Sequence, residues 1–269
     1  DEDWAAYVYK WNKEQTDATL VDAGGEDVSF SIETSSGKHE FSWRHAGRAE
    51  CMFCHSRAAG FALGMNTLQL NRDHDYDGII DNQFRVFDHL RLFTDDWIGE
   101  TRKKIRSEVI KDQELDQKSA DDHVKELFGG SRAYPHPRSD RLAHLPTSSE
   151  YVRQADPFDE NASLDVRARS YLHANCANCH IGAGGGNAAI DLSHDAKPDK
   201  RELFDVKPKH LDFGIKNGRL VAPGKPEKSV LLHRMKLLGP GQMPVIGRKA
   251  VDDKGIDLIR RWIAEMKSP

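Results

Sequence analysis

All four cysteines of the 269-residue chain fall in two short words, Cys51-Met52-Phe53-Cys54-His55 and Cys176-Ala177-Asn178-Cys179-His180. Both read C-x-x-C-H. Two thiols one helical turn apart can each form a thioether to a haem vinyl group, and the next histidine then faces the iron from the same side. The spacing therefore predicts two covalently bound haem c groups, with His55 and His180 as axial ligands of haem iron. Competing chemistries fit less well. A disulfide framework does not call for a histidine after each pair. A zinc site built from four cysteines ordinarily places its pairs roughly 15–20 residues apart, against 121 here. A thioredoxin-like dithiol needs a β-α-β frame, and none flanks Cys51.

A methionine completes the second site on paper. Met243 sits in Gly239-Pro-Gly-Gln-Met-Pro244, about 60 residues after His180. A Gly/Pro loop at that spacing can carry a thioether over the opposite haem face, and such a soft ligand favours reduced iron. Met235 lies in a helical stretch and reads as core. After His55 no Met-Pro loop follows. The candidates for the sixth position of the first iron are Met65, His74, His89, His123, His136, His144 and His173, with none singled out.

A third chemistry-bearing word is acidic. Asp73-His-Asp75-Tyr-Asp77-Gly78-Ile-Ile-Asp81 matches D-x-D-x-D-G-x-x-D, in which alternate carboxylates converge on a hard cation and glycine permits the turn. It is a candidate Ca2+ loop with a structural role. It departs from the full EF-hand pattern, because Phe84 stands where the bidentate Glu would be.

The elements that must position these residues are uneven in legibility. Leu164, Ala168, Tyr171, Leu172 and Cys176 share one helical face, with Ser163 as cap and Asp165 in the first turn. That helix delivers the second word. Asp252 and Asp253 open another, striped by Ile256, Ile259, Trp262, Ile263 and Met266 and closed by Lys267. Ahead of the first word, Val28-Ser-Phe-Ser-Ile-Glu33 alternates with period two, Ser35-Ser36-Gly37 turns, and His39-Glu-Phe-Ser-Trp43 returns, which predicts a β-hairpin. Phe84, Phe87, Leu90 and Phe93 recur at helical spacing. Residues 95–130 are highly charged, and Pro135, Pro137 and Pro146 mark a linker. The expected fold is mainly α, with two cytochrome c-like haem lobes and a small hairpin near the N-terminus. Residues 1–150 form the first lobe, and 151–269 form a class I cytochrome c-like second lobe.

Composition is compatible with this. At 38% hydrophobic and 30% charged, the chain can build real cores. No run approaches the roughly 18 apolar residues of a membrane span. A net charge of −4 argues against a nucleic-acid surface, and a cationic patch on a redox partner protein or domain would complement it. The start, Asp1-Glu2-Asp3-Trp4, lacks a basic n-region and an apolar h-region, as expected of a processed secreted chain or an excised module.

These words occur together with Trp11-Asn-Lys-Glu-Gln-Thr-Asp-Ala, Gln69-Leu-Asn71, Asn82-Gln83, Arg167-Ala-Arg-Ser-Tyr-Leu-His-Ala-Asn175, Pro223-Gly-Lys-Pro-Glu-Lys-Ser, Met243-Pro and Val251-Asp-Asp-Lys-Gly-Ile-Asp-Leu-Ile-Arg-Arg-Trp-Ile263. The combination resembles the di-haem cytochrome c modules of secreted bacterial proteins, often C-terminal to sugar-dehydrogenase-like or carbohydrate-associated domains. The resemblance covers nearly the whole chain. It implies electron transfer in an extracytoplasmic, carbohydrate-oxidising setting. The acidic loop departs from the pattern, so its metal rests on the residues alone.

The expected function is one-electron transfer without enzymatic substrate chemistry, in the periplasm or outside the cell, where haem is attached to C-x-x-C-H words. The rival is a di-haem peroxidase with an open position at one iron. A third reading is a binding module whose Cys and His hold structural metal.

Overall fold

The computed structural model describes residues 4–34, 37–64, 67–83, 86–87, 90, 92, 107, 116–119, 122, 154–182, 184–194, 196 and 202–267. The chain divides into two compact units, Asp1–Leu63 with Ala155–Pro269, and Gly64–Gln154. Both C-x-x-C-H words lie in the first unit.

In the first unit, β1 (Tyr9–Trp11) pairs antiparallel with β2 (Ala18–Leu20). Their turn is held by Asn12, whose Oδ1 accepts from the Thr16 amide at 2.9 Å. The hairpin expected ahead of the first word is longer than the alternation alone marks: β3 (Glu26–Thr34) pairs with β4 (Gly37–His45) from Glu26↔His45 to Thr34↔Gly37. Its exit is clamped, since the Arg48 amide donates to Ala23 O at 2.9 Å. A Cβ on Gly47 would lie 2.8 Å from that same carbonyl. The chain then enters a single helical turn, α1 (Arg48–Cys51).

The rest of this unit packs around two helices. In α3 (Leu164–Leu172), the Ser163 hydroxyl caps the start by accepting from the Val166 amide. In α5 (Asp253–Glu265), Asp252 caps by accepting from the Gly255 amide at 3.0 Å. Ala168, Tyr171 and Leu172 of α3 meet Leu258, Ile259, Trp262 and Ile263 of α5 in one buried cluster. Each large apolar side chain so buried contributes about 1.5–3 kcal/mol. The α5 stripe is the expected one, widened on one side. Gly255 and Leu258 are buried, while Ile256 and Met266 pack at the margin. The cause is Tyr171, which lies against Gly255 and takes the space a side chain would need. Between these helices runs α4 (Val230–Lys236), which buries Met235 as expected.

In the second unit, α2 (Thr67–Leu70) precedes a third hairpin, β5 (Asp73–Asp75) with β6 (Ile80–Asn82). The buried Asn82 donates Nδ2 to the buried Asn71 Oδ1 at 2.9 Å.

The mainly-α, two-lobed cytochrome fold is therefore corrected. Among the described residues the α-helices are short, three two-stranded hairpins stand beside them, and both words share one unit. The physical reason lies in the connecting sequence. The stretch after the second word is rich in glycine at 182–186, and its described residues bury isolated side chains, including Leu192 and Leu203, through turns and bridges. Amphipathic spacing marked two helices that do form, and the mainly helical expectation extended their character over the stretch between them. Among the described residues, no helix is long and apolar enough to cross a membrane. The helical aromatic stretch after Asn82, the charged residues 95–130 and the proline linker lie wholly or largely outside the described residues.

Candidate functional site

The two words fold into the same turn. In the first, the Cys54 and His55 amides both donate to Cys51 O, at 3.2 and 3.0 Å. In the second, the Cys179 and His180 amides both donate to Cys176 O, at 3.2 and 2.9 Å. A carbonyl shared by the third and fourth following amides is a helical turn, which sets the two thiols of each word one turn apart. Different supports produce it. The first word leaves α1, whose start is closed by Glu50: its Oε2 accepts from the Gly47 amide at 2.7 Å, and Arg44 Nε lies 3.1 Å from the same oxygen. The second word continues α3 through a π turn, His173–Ala177.

All four cysteines are free thiols, each partly buried. Burial pushes the Cys176 thiol up to about 12. Cys179 rises equally, to about 12, through burial and then its contact with Cys54. The histidines differ. His55 is exposed and donates Nδ1–H to Phe61 O at 2.6 Å, which leaves Nε2 as the lone-pair donor. Around His180 the packing is closer. Its Nδ1 is buried without a hydrogen-bond partner, and a Cβ on Gly186 would lie 2.6 Å from that atom. Burial, and after it the charge of Arg234, holds this imidazole below its ordinary value, favouring the neutral ring.

Arg234 links His180 to the methionine loop. Its carbonyl accepts from the Met243 amide at 3.2 Å, and its Nη1 donates to Gly241 O at 3.3 Å. Its guanidinium lies over the Phe213 ring, 4.9 Å from the centroid. The same loop borders the first word. A cleft of 510 Å³ has Trp43, Arg44, Glu50 and Phe53 on one side, and residues 239–242 and 245–249 on the other. Sequence reasoning missed Arg234, Phe61 and the glycines at 184–186. Only the glycine run carries a readable signal, that of a backbone something approaches closely.

Among the described candidates for a further ligand, His173 is engaged locally, its Nδ1 accepting from the His194 amide at 3.0 Å. His74 lies in the second unit with its ring edge against Tyr76. Met65, His89, His123, His136 and His144 lie outside the described residues.

The expected cofactor set, two haem c with possible Ca2+, is corrected: the Ca2+ site is not formed, and the arrangement of the described residues does not by itself show the two haems. Among the described residues, no three or more His, Cys, Asp or Glu side chains gather as a group able to hold a metal ion. This removes the Ca2+ loop and also a four-cysteine zinc centre at the two words. For the acidic loop the reason is strand geometry. Asp73 and Asp75 alternate with His74 along β5, and His74 pairs with Asp81. Cross-strand partners share a face and alternate residues share the other, so Asp81 projects away from Asp73 and Asp75. Asp77 and Gly78 form the turn at positive φ. Asp75 Oδ1 accepts from the Gly78 amide at 2.6 Å, and Asp81 Oδ1 accepts from the Asn82 amide at 2.7 Å. For haem, the two separately housed sites expected of two lobes give way to adjoining words, with Cys54 and Cys179 in contact. What the chain itself supplies at each word is two thiols and one imidazole.

No protein-family model, no curated protein and no solved structure matches this chain.

Proposed function

We propose that the chain is a one-electron transfer protein of an extracytoplasmic redox chain, working through c-type groups attached covalently at Cys51/Cys54 and Cys176/Cys179. The observation that carries the reading is the repeated turn. Two words 125 residues apart present two thiols and a following imidazole with the same backbone hydrogen bonds, within one compact unit. His55, whose Nδ1–H is engaged by Phe61 O, and His180, whose imidazole is held by burial below its ordinary value, are the residues that would hold the iron of such groups. Met243, on a loop anchored to Arg234, is the candidate ligand opposite His180. The resemblance to secreted di-haem modules extends the proposal to the periplasm or the cell exterior, and to a redox partner protein linked to carbohydrate oxidation.

The test is direct. The chain is produced in a host with the c-type maturation machinery, then subjected to denaturing electrophoresis with a haem stain and to intact mass measurement. Two haems retained after denaturation is the expected result. A mass equal to the bare polypeptide overturns the proposal.

A further inference from the structure

The two words meet through their second cysteines. Cys179 Sγ lies 3.3 Å from Cys54 Sγ and 3.0 Å from Phe53 O. The contact depends on a stretch of bare backbone. A Cβ on Gly185 would stand 2.6 Å from Phe53 O, and one on Gly184 would stand 2.4 Å from Cys179 O. Backbone atoms cannot swing aside as a flexible side chain can, so glycine at 185 is what lets the second word lie against the first.

We propose that in the thiol form of the chain Cys54 and Cys179 are the pair that oxidises, forming a disulfide that bridges the two words. A disulfide needs its sulfurs at about 2.05 Å, so a contact already at 3.3 Å closes with an approach of little more than 1 Å. With oxidised glutathione as the oxidant, one thiol loses its proton and its sulfur attacks the reagent, releasing one glutathione thiolate. The second thiolate then displaces the other glutathione from the mixed disulfide. Two protons and two electrons leave the protein, one S–S bond forms in it, and the reagent's S–S bond is reduced to two thiols.

The bridge itself does not depend on the proposed function. Its consequence rests on that reading: each word keeps one thiol, Cys51 or Cys176, so neither can form both thioethers until the bridge is reduced. One bond would hold both attachment sites closed together.

The experiment uses the full-length chain made without c-type maturation. It is oxidised with glutathione disulfide, alkylated, digested without reduction and mapped by mass spectrometry. The expected result is a peptide cross-linked through Cys54 and Cys179, with Cys51 and Cys176 alkylated. Bridges within the words, Cys51–Cys54 and Cys176–Cys179, overturn the proposal, as does alkylation of all four. The C51S/C176S double variant should bridge to the same extent as the natural chain, and failure to bridge also counts against it. Gly185→Val should abolish the cross-link at the same oxidant concentration. Should that variant unfold, judged by circular dichroism, the double variant decides the matter alone. Because no haem is present, failure here leaves the haem stain and mass test of the mature protein unaffected.

Discussion

The Tyr171 hydroxyl donates to Asp252 Oδ2 at 2.8 Å, joining the end of α3 to the cap of α5. At the other end of the same helix pair, Trp262 Nε1 donates to Asp165 Oδ1 at 2.9 Å. The helices run antiparallel, each contributing one polar tie to the first turn or cap of its neighbour. Asp252 serves twice, with Oδ1 on the Gly255 amide and Oδ2 on Tyr171. Because α3 leads into the second word, this pairing sets where Cys176 begins its turn.

Gly255→Ala should destabilise the protein although alanine is the better helix former. The propensity gain is about 1 kcal/mol. Against it, the new Cβ would stand 2.2 Å from Tyr171 Oη and 2.3 Å from Cζ, an overlap that costs about 1–3 kcal/mol or more. Steric cost wins. Tyr171→Phe removes only the hydrogen bond and should cost about 1 kcal/mol. Urea melts of the three proteins check this, with both variants expected to be less stable than the natural chain. An alanine variant as stable as the natural chain would show that the helices separate freely at that point.

Glu50 carries a pH signature. The Gly47 amide, and after it Arg44, hold the carboxyl below its ordinary value. The unfolded chain therefore takes up the proton first, so the contribution is present above the ordinary glutamate range and lost as pH falls through the depressed folded value. Glu50→Gln should lower stability near neutral pH by no more than about 1 kcal/mol, after allowance for solvent screening. The gap should close in acid. A gap that stays constant down to pH 3 would show that the carboxylate charge is not what matters at this cap.

Calcium should have no effect. With Asp81 facing away from Asp73 and Asp75, millimolar Ca2+ or a chelator should leave the melting temperature unchanged, since a ligand that does not bind the native state cannot shift it. A calcium-dependent rise would mean that the hairpin rearranges around the ion.

On the proposed function, Met243→His should lower the midpoint potential of one haem and leave the other nearly unmoved. An imidazole is a harder donor than a thioether and stabilises ferric iron. A shift on the order of 0.1 V is expected, within the roughly 0.8 V that axial ligation spans. Redox titration of both proteins measures it. If neither midpoint moves, Met243 is not a ligand.

Much of the local architecture was legible in the residues, because it depends on groups a few positions apart. Both words carry their turn in their own spacing. Ser163 and Asp252 are caps by residue type and position, and the alternation over residues 28–33 marks a strand. The acidic loop shows where local pattern fails: D-x-D-x-D-G can wrap a cation or turn a hairpin, and cross-strand pairing of His74 with Asp81 selects the second. Only the tertiary structure brings Cys54 to Cys179 across 125 residues. Only it shows that Gly185 and Gly255 sit where another part of the chain occupies the space of a side chain. Spacing along a sequence reports which face of an element a residue takes, but close approach is decided by what packs against that face. The two cysteine words were thus determined residue by residue, and their meeting was decided by the backbone that glycine leaves bare.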